Sequence, residues 1–151
     1  MHFSRWLSAF ALFVLPSPAF ALCTSIGVSA TAVDFGIYDP ASATAATTTG
    51  RVTVQCGIGI LPSFSVSLSK GSGTYDQRTM RQGGDVLTYN LYTDSNHMTV
   101  WGDGNDGTVA QGWAGILSLG STDYTVYGLV TTGQYPASGS YTDSIMVTVK
   151  F

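Results

Sequence analysis

The sequence predicts an all-β protein, an antiparallel β-sandwich of immunoglobulin-like size. Apolar and polar residues alternate in several short segments, which is the pattern of a strand with one buried face. Turns rich in Gly, Pro, Asn and Asp separate these segments, and long helical patterns of Ala, Leu, Glu and Lys are absent. Roughly eight short strands separated by such turns are typical of a sandwich.

Residues 139–151 contain the clearest strand pattern, and the sequence ends on it. Its alternating apolar residues are Ile145, Val147, Val149 and Phe151. An apolar strand at the edge of a sheet is normally blunted, covered or paired, and Lys150 is the only charge in the last eight residues. No turn or further strand follows. We therefore expect a segment of another protein to pair with this edge.

Residues 1–21 have the features of a secretory signal peptide. A weakly basic start is followed by an apolar run over residues 6–15 and by a small-x-small cleavage site at Ala19, Phe20 and Ala21. The apolar run is too short to span a bilayer. Residues 22–151 then form one domain, which is long enough for a core of its own.

The charge of the mature chain excludes some partners. All nine acidic residues are aspartates, and they outnumber the basic residues. Nucleic-acid binding needs clustered Lys and Arg, and an anionic membrane surface also attracts basic segments. We therefore expect neither nucleic-acid binding nor membrane insertion.

Two cysteines, Cys23 and Cys56, occur in this exported chain. In an oxidising compartment a disulfide is the default, and an intramolecular bond has only this connectivity. It would stabilise the fold by roughly 3–4 kcal/mol in the chain-entropy model. Two unpaired thiols are the alternative.

Alternation places the other strands and the connections between them. Strands are predicted over residues 26–32 (with a break near Ala32), 51–56, 64–68, 87–92, 98–101, 116–119 and 124–131. Residues 41–49 are predicted to be a mobile loop of small residues, 71–84 a long polar connection, and 102–112 a Gly/Asp-rich loop. The Cys-Trp-Cys spacing of antibody domains is absent.

Catalytic and metal-binding chemistry has little support. The mature chain has one histidine, His97, on a polar turn, where it is expected to face solvent. Structural zinc sites need four Cys or His ligands, so we predict no zinc and no cofactor. Asp103, Asn105 and Asp106 offer oxygen ligands for calcium, but Asp-Gly and Asn-Asp are also ordinary turn chemistry.

Aromatic residues could form a sugar- or surface-binding platform, although core packing is the alternative for each of them. They are Tyr75, Tyr89, Tyr92, Trp101, Trp113, Tyr124 and Tyr127. Tyr89 and Tyr92 are odd-spaced on one strand, so they are expected on opposite faces.

Several motifs together resemble one family. They are VDFGIYDP (33–40), GRVTVQC (50–56), SKGSGTY (69–75) followed by Arg78 and Met80, LTYNLYTD (87–94), VWGDG (100–104) and GSYTDSIMVTVKF (139–151). In this order they closely resemble the spore coat protein U domain family, which includes the Csu-type subunits of archaic chaperone–usher pili. The resemblance covers essentially the whole mature chain.

The resemblance implies an incomplete immunoglobulin-like sandwich that lacks its final strand. A periplasmic chaperone would supply a strand first, and a neighbouring subunit would replace it at the outer-membrane usher. The expected contacts are Ile145, Val147, Val149 and Phe151 of the last strand and Ile26 and Val28 of the first. The family also implies that basic chaperone residues grip the Phe151 carboxylate.

The resemblance further implies passage through the periplasm to the surface of a Gram-negative bacterium. Fibre subunits of the family carry a donor extension before the first cysteine, whereas only Leu22 separates the predicted cleavage site from Cys23. We therefore expect a tip or terminal subunit that accepts a strand and does not donate one.

Two other functions remain as alternatives. A single-domain adhesin would bind a glycan or a surface through its exposed loops, and mutation of Trp101 or Trp113 would abolish that binding. A secreted enzyme would need an activity that disappears in His97→Ala; we predict that the protein is not an enzyme.

Overall fold

The computed structural model describes residues 23, 25–57, 63–113 and 120–151. These residues contain β-strands and no helix, and therefore no helix that could cross a membrane. The described strands are β1 (Ile26–Ala30), β2 (Ala46–Cys56), β3 (Phe64–Leu68), β4 (Arg78–Gln82), β5 (Asp85–Tyr92), β6 (Gln111–Trp113), β7 (Ser121–Val130) and β8 (Val147–Lys150).

The strands form two antiparallel sheets. The five-stranded sheet has the order β1-β2-β7-β5-β4, and the three-stranded sheet has the order β6-β3-β8. The longest ladder of the five-stranded sheet joins β2 to β7, from Ala46 opposite Val130 to Gln55 opposite Ser121. The predicted all-β antiparallel sandwich is confirmed.

The core lies between the sheets and follows the sequence alternation. Val52 and Val54 of β2 and Val66 of β3 are at most 2% exposed. Trp101 is completely buried, and its indole N–H donates to the Val66 carbonyl at 3.0 Å. Removing such side chains from water supplies the main driving force for folding.

The Cys23–Cys56 disulfide is present, with Cα atoms 5.6 Å apart. Cys56 ends β2 and belongs to the buried core, and Cys23 packs against that core just before β1. The bond therefore ties the start of the first strand to the end of β2, as predicted.

Several predicted boundaries were wrong. Residues 46–49, expected in a loop, extend β2 because they pair with Tyr127 to Val130 of β7. Residues 78–82, expected in a connection, form β4 beside β5. Residues 98–101 make only isolated bridges, Val100 to Tyr92 and Trp101 to Val109. Only the pairing of residues 46–49 is set by a strand distant in sequence; β4 joins β5 directly through Gly83 and Gly84, and the bridges are local.

Two further predictions concern strand ends. β1 ends at Ala30, and residues 31–36 belong to no ladder, so the predicted break falls earlier than Ala32. The strand expected over residues 116–119 lies outside the described residues.

Candidate functional site

The first strand has an uncovered core face. Val28 lies opposite Val54, and Ile26 lies opposite Cys56. Residues directly opposite in an antiparallel pair point to the same face of the sheet. Val54 and Cys56 are buried, so Ile26 and Val28 point toward the core as well, yet they are 40% and 46% exposed. The space above β1 is therefore open.

The last strand has an unpaired side. β8 forms its ladder with β3, from Val147 opposite Leu68 to Lys150 opposite Ser65. Within the described part of the chain, no strand pairs with its other side. That side offers backbone N–H and C=O groups to an added strand.

The chain after β1 crosses onto the inner face of the large sheet. The Thr31 N–H still donates to the Arg51 carbonyl at 2.9 Å, and then Val33 and Phe35 pack over β2 and β7. Glycines make room for them: a Cβ at Gly50 would lie 2.7 Å from Val33, and one at Gly128 would lie 2.8 Å from Val33 and Phe35. Real Cβ atoms do not approach so closely, so a side chain at either position would force Val33 or Phe35 to move.

These features enclose the edge groove, which we define as the space between residues 26–35 and residues 141–151. Its deepest part is a cavity of about 390 Å³. One wall is formed by residues 30–33 and Phe35, the other by residues 141–143, Ile145 and Val147, and the floor by Val52, Leu68, Met80, Tyr89, Leu91 and Val126. A 390 Å³ space with mainly apolar walls suits several small apolar side chains.

One polar contact crosses the groove floor. The Tyr89 hydroxyl donates to Asp143 Oδ2 at 2.7 Å. Burial and this hydrogen bond both raise the pKa of Tyr89, so the phenol stays protonated. The contact joins β5 to the segment that leads into β8.

Arg78 lies beneath this region and is completely buried. Its guanidinium donates to the carbonyls of Ser69 and Trp101 and to Asn90 Oδ1, at 2.6–3.0 Å. Burial lowers the pKa of Arg78, and a guanidinium stays protonated in proteins. The Arg78 guanidinium therefore holds three neutral acceptors in place, those of Ser69, Asn90 and Trp101.

The structure places the predicted contact residues along the groove, with different degrees of burial. Ile145 and Val147 line the cavity, and Val149 packs against the core. Phe151 is 58% exposed and contacts Phe64, with ring centroids 5.9 Å apart. Ile26 and Val28 lie beyond the cavity, on the open face of β1. Their role in binding a strand stays a prediction.

Sequence reasoning did not assign Val33, Phe35, Tyr89 or Asp143 to the site. The shift of apolar phase at Val33 was a usable signal, because it marks where the chain leaves one ladder and turns its side chains onto another surface. Tyr89 and Asp143 gave no such signal, since they meet only through the fold.

Three other candidate residues have structural explanations. Trp101 is a core residue, so it is not available as an exposed binding aromatic. His97 is half-buried, with its ring edge-on to Tyr92 and Tyr127, and thus does not simply face solvent. Asp103 Oδ1 accepts the Asn105 N–H at 3.0 Å, as in an ordinary Asx turn.

Comparisons with known proteins agree with this architecture. Residues 10–148 match the Spore Coat Protein U domain. The chain is 31% identical over 140 residues to Protein U of Myxococcus xanthus, covering 83% of this chain and 74% of that protein.

The fold is similar to a chain in the crystal structure of the CsuC–CsuE chaperone–tip adhesion subunit pre-assembly complex from the archaic chaperone–usher Csu pili of Acinetobacter baumannii. The TM-score is 0.52 and the identity is 20%. The match covers 83% of this chain and 40% of the solved one. On the extent of the domain match and the identity to Protein U, this chain belongs to the Spore Coat Protein U domain family.

Proposed function

We propose that this protein is a structural subunit of a surface pilus or coat, and that its edge groove accepts a β-strand from a partner protein. The observation that carries the proposal is that both sides of the groove are uncovered: the core face of β1 is exposed, and one side of β8 is unpaired. Adding a strand to a sheet edge satisfies the backbone groups and buries alternate side chains. One extended segment would therefore cover both the core face of β1 and the unpaired side of β8.

The energy involved explains why a partner would be needed. Four or five apolar side chains of an added strand would contribute about 6–15 kcal/mol, at roughly 1.5–3 kcal/mol each. Whole domains are stable by only about 5–15 kcal/mol. A subunit of this kind would therefore be marginal without its partner, and the Cys23–Cys56 bond would offset part of the deficit.

A chaperone that supplies this strand in the periplasm, and a neighbouring subunit that later replaces it, fit the proposal. The similar solved chain comes from a complex of a chaperone with a tip adhesion subunit, and the family membership supports the same class of assembly. We extend the proposal to an outer-membrane usher as the site of exchange.

Co-expression with a candidate chaperone tests the proposal. We expect recovery as a one-to-one complex and loss of that complex when Val147 and Val149 are both changed to Asp. Thr148→Asp is the matched control, because Thr148 is on the same strand and exposed. Recovery of the same complex when Val147 and Val149 are both Asp, or no complex with the unmodified chain, would overturn the proposal.

The narrower expectation is that the subunit accepts a strand without donating one. Mixing the purified chaperone complex with a second, tagged copy of this chain tests it. Formation of a chain-to-chain complex would show donation, whereas persistence of the chaperone complex agrees with a terminal position.

Surface binding is a second candidate function, and it too has a structural observation in its favour. A cleft of about 580 Å³ adjoins the edge groove and is lined by Phe35, Ile37, Tyr38 and Pro136 among others. Ile37 is 99% exposed. Ile37→Ser should lower retention on an apolar surface if this cleft binds it, while Met98→Ser, at another exposed apolar position, should not.

A further inference from the structure

The cavity of the edge groove has one carboxylate among its described lining residues, which are otherwise mostly apolar. Among the described residues that line the cavity, Asp143 is the one acid, and Ile145 and Val147 follow it at alternate positions on the same wall. A strand that packed along this wall would place successive inward side chains against each of the three. The carboxylate therefore marks one position of that strand as different from the others.

Hydrogen bonds fix the Asp143 carboxylate in place. Oδ1 accepts the Ser72 N–H at 3.0 Å, the Ser72 hydroxyl at 2.8 Å and the Ser144 N–H at 2.9 Å. Among the described residues, Oδ2 accepts a hydrogen bond from the Tyr89 hydroxyl alone. Oδ2 accepts one hydrogen bond where Oδ1 accepts three, so Oδ2 is the oxygen with room for a further donor.

No cation forms an ion pair with Asp143 within the described residues, where the one salt bridge joins Arg51 to Asp123. Arg78 interacts electrostatically with Asp143, but it donates its hydrogen bonds to neutral acceptors. The groove wall therefore presents a fixed, partly satisfied negative group.

We propose that Asp143 selects the strand that fills the groove, by requiring a hydrogen-bond donor at the side chain that faces it, with lysine as the strongest donor. This inference rests on the proposed strand-accepting function. An apolar side chain at that position would remove water from Oδ2 without replacing its hydrogen bond, which is costly. The positions that face Ile145 and Val147 remain apolar, so the partner strand carries one polar residue beside an alternating apolar run.

Synthetic strand peptides test the proposal. The parent peptide has valine at every inward position, and its variants place lysine or glutamate at each inward position in turn. Each peptide is added to the full chain during refolding, and binding is measured by fluorescence polarisation. We expect one position at which lysine binds at least about tenfold more tightly than glutamate, the size of a charge-assisted hydrogen bond.

Two variants assign that preference. Asp143→Asn keeps the size of the side chain and removes its charge, so the lysine preference should disappear while the valine peptide still binds. Asp123→Asn removes an equal charge from a residue outside the groove lining, and the preference should persist. In the unmodified chain the preference should also fall as salt is raised, which tests the charge even if Asp143→Asn does not fold.

The outcomes separate the two ideas. Failure of every peptide to bind would overturn the strand-accepting function and this inference with it. Binding of the valine peptide with no lysine-preferring position would overturn the role of Asp143 alone. Persistence of the preference in Asp143→Asn would do the same.

Discussion

Val28 lies directly opposite Val54 in the β1–β2 ladder, yet Val54 is completely buried and Val28 is 46% exposed. The two side chains share a residue type and a face of the sheet, so propensity and register do not separate them. They differ in what lies above them: the small sheet covers β2 and leaves β1 open.

Alanine substitutions at these two positions should therefore behave differently. Val54→Ala should lower the free energy of unfolding by about 2 kcal/mol, because it removes buried methyl groups and leaves a cavity. Val28→Ala should change it by less than about 0.5 kcal/mol in the isolated chain. Urea denaturation measures both.

The difference between the two positions should narrow when a partner strand is bound. Val28→Ala should then weaken the complex, because an added strand would bury Val28. Equal destabilisation by both substitutions in the isolated chain would contradict the open groove.

Strands with apolar alternation were predictable because burial dictates their pattern. Alternate spacing alone was enough to predict the burial of Val52, Val54 and Cys56 in β2, and of Phe64 and Val66 in β3. β4 has no such pattern: its inward residues include Met80 and the cation Arg78, which is buried because Ser69, Asn90 and Trp101 supply acceptors from other parts of the fold. A single sequence does not reveal partners so distant.

The site was predictable to a similar extent. The apolar repeat of Ile145, Val147 and Val149 predicted one wall of the groove. The opposite wall depends on Val33 and Phe35, which pack over Gly50 and Gly128. The polar contact depends on Tyr89 meeting Asp143. These are contacts between segments, so local pattern carries little information about them.

The disulfide provides the second stability prediction. Changing both Cys23 and Cys56 to Ser should lower the free energy of unfolding by roughly 3–4 kcal/mol, because the bond restricts the unfolded chain. Urea denaturation measures the loss, and reduction of the unmodified protein should produce a loss of similar size. A negligible change would show that the bond does not constrain the unfolded ensemble.

Arg78 and Arg51 form a matched pair for the third prediction. Arg78→Met should lower the free energy of unfolding by at least about 3 kcal/mol, because it leaves several buried acceptors without donors. Arg51 forms an ion pair with Asp123 at 3.0 Å, and its side chain is 61% exposed. Arg51→Met should therefore cost less than about 1 kcal/mol. Similar losses in a thermal or urea melt would contradict the structural role of the buried guanidinium.

Asp94 provides a prediction about pH. Hydrogen bonds from the backbone N–H groups of Thr99, Met98 and Asn96 hold the pKa of Asp94 below its ordinary value of 3.8. A lowered folded pKa means that the carboxylate stabilises the turn above pH 3.8 and that this contribution is lost as the pH falls through the folded value. The amide signals of Thr99 and Met98 should shift in that acidic range by NMR. Asp94→Ala should abolish this transition, and its survival in that variant would assign it to another group.

Gly128 supports the groove wall from below. Gly128→Ala would bring a Cβ to 2.8 Å from Val33 and Phe35, and such overpacking costs about 1–3 kcal/mol. Adding Val33→Ala should recover part of the loss, because the smaller side chain clears the new methyl group, and the double-mutant cycle measures the coupling. Gly84→Ala is the control, since nothing lies within 4 Å of its Cβ position. If Gly128→Ala weakens partner-strand binding more than its loss of stability explains, residues 31–35 form a true wall of the groove; additive effects of Gly128→Ala and Val33→Ala would contradict their contact.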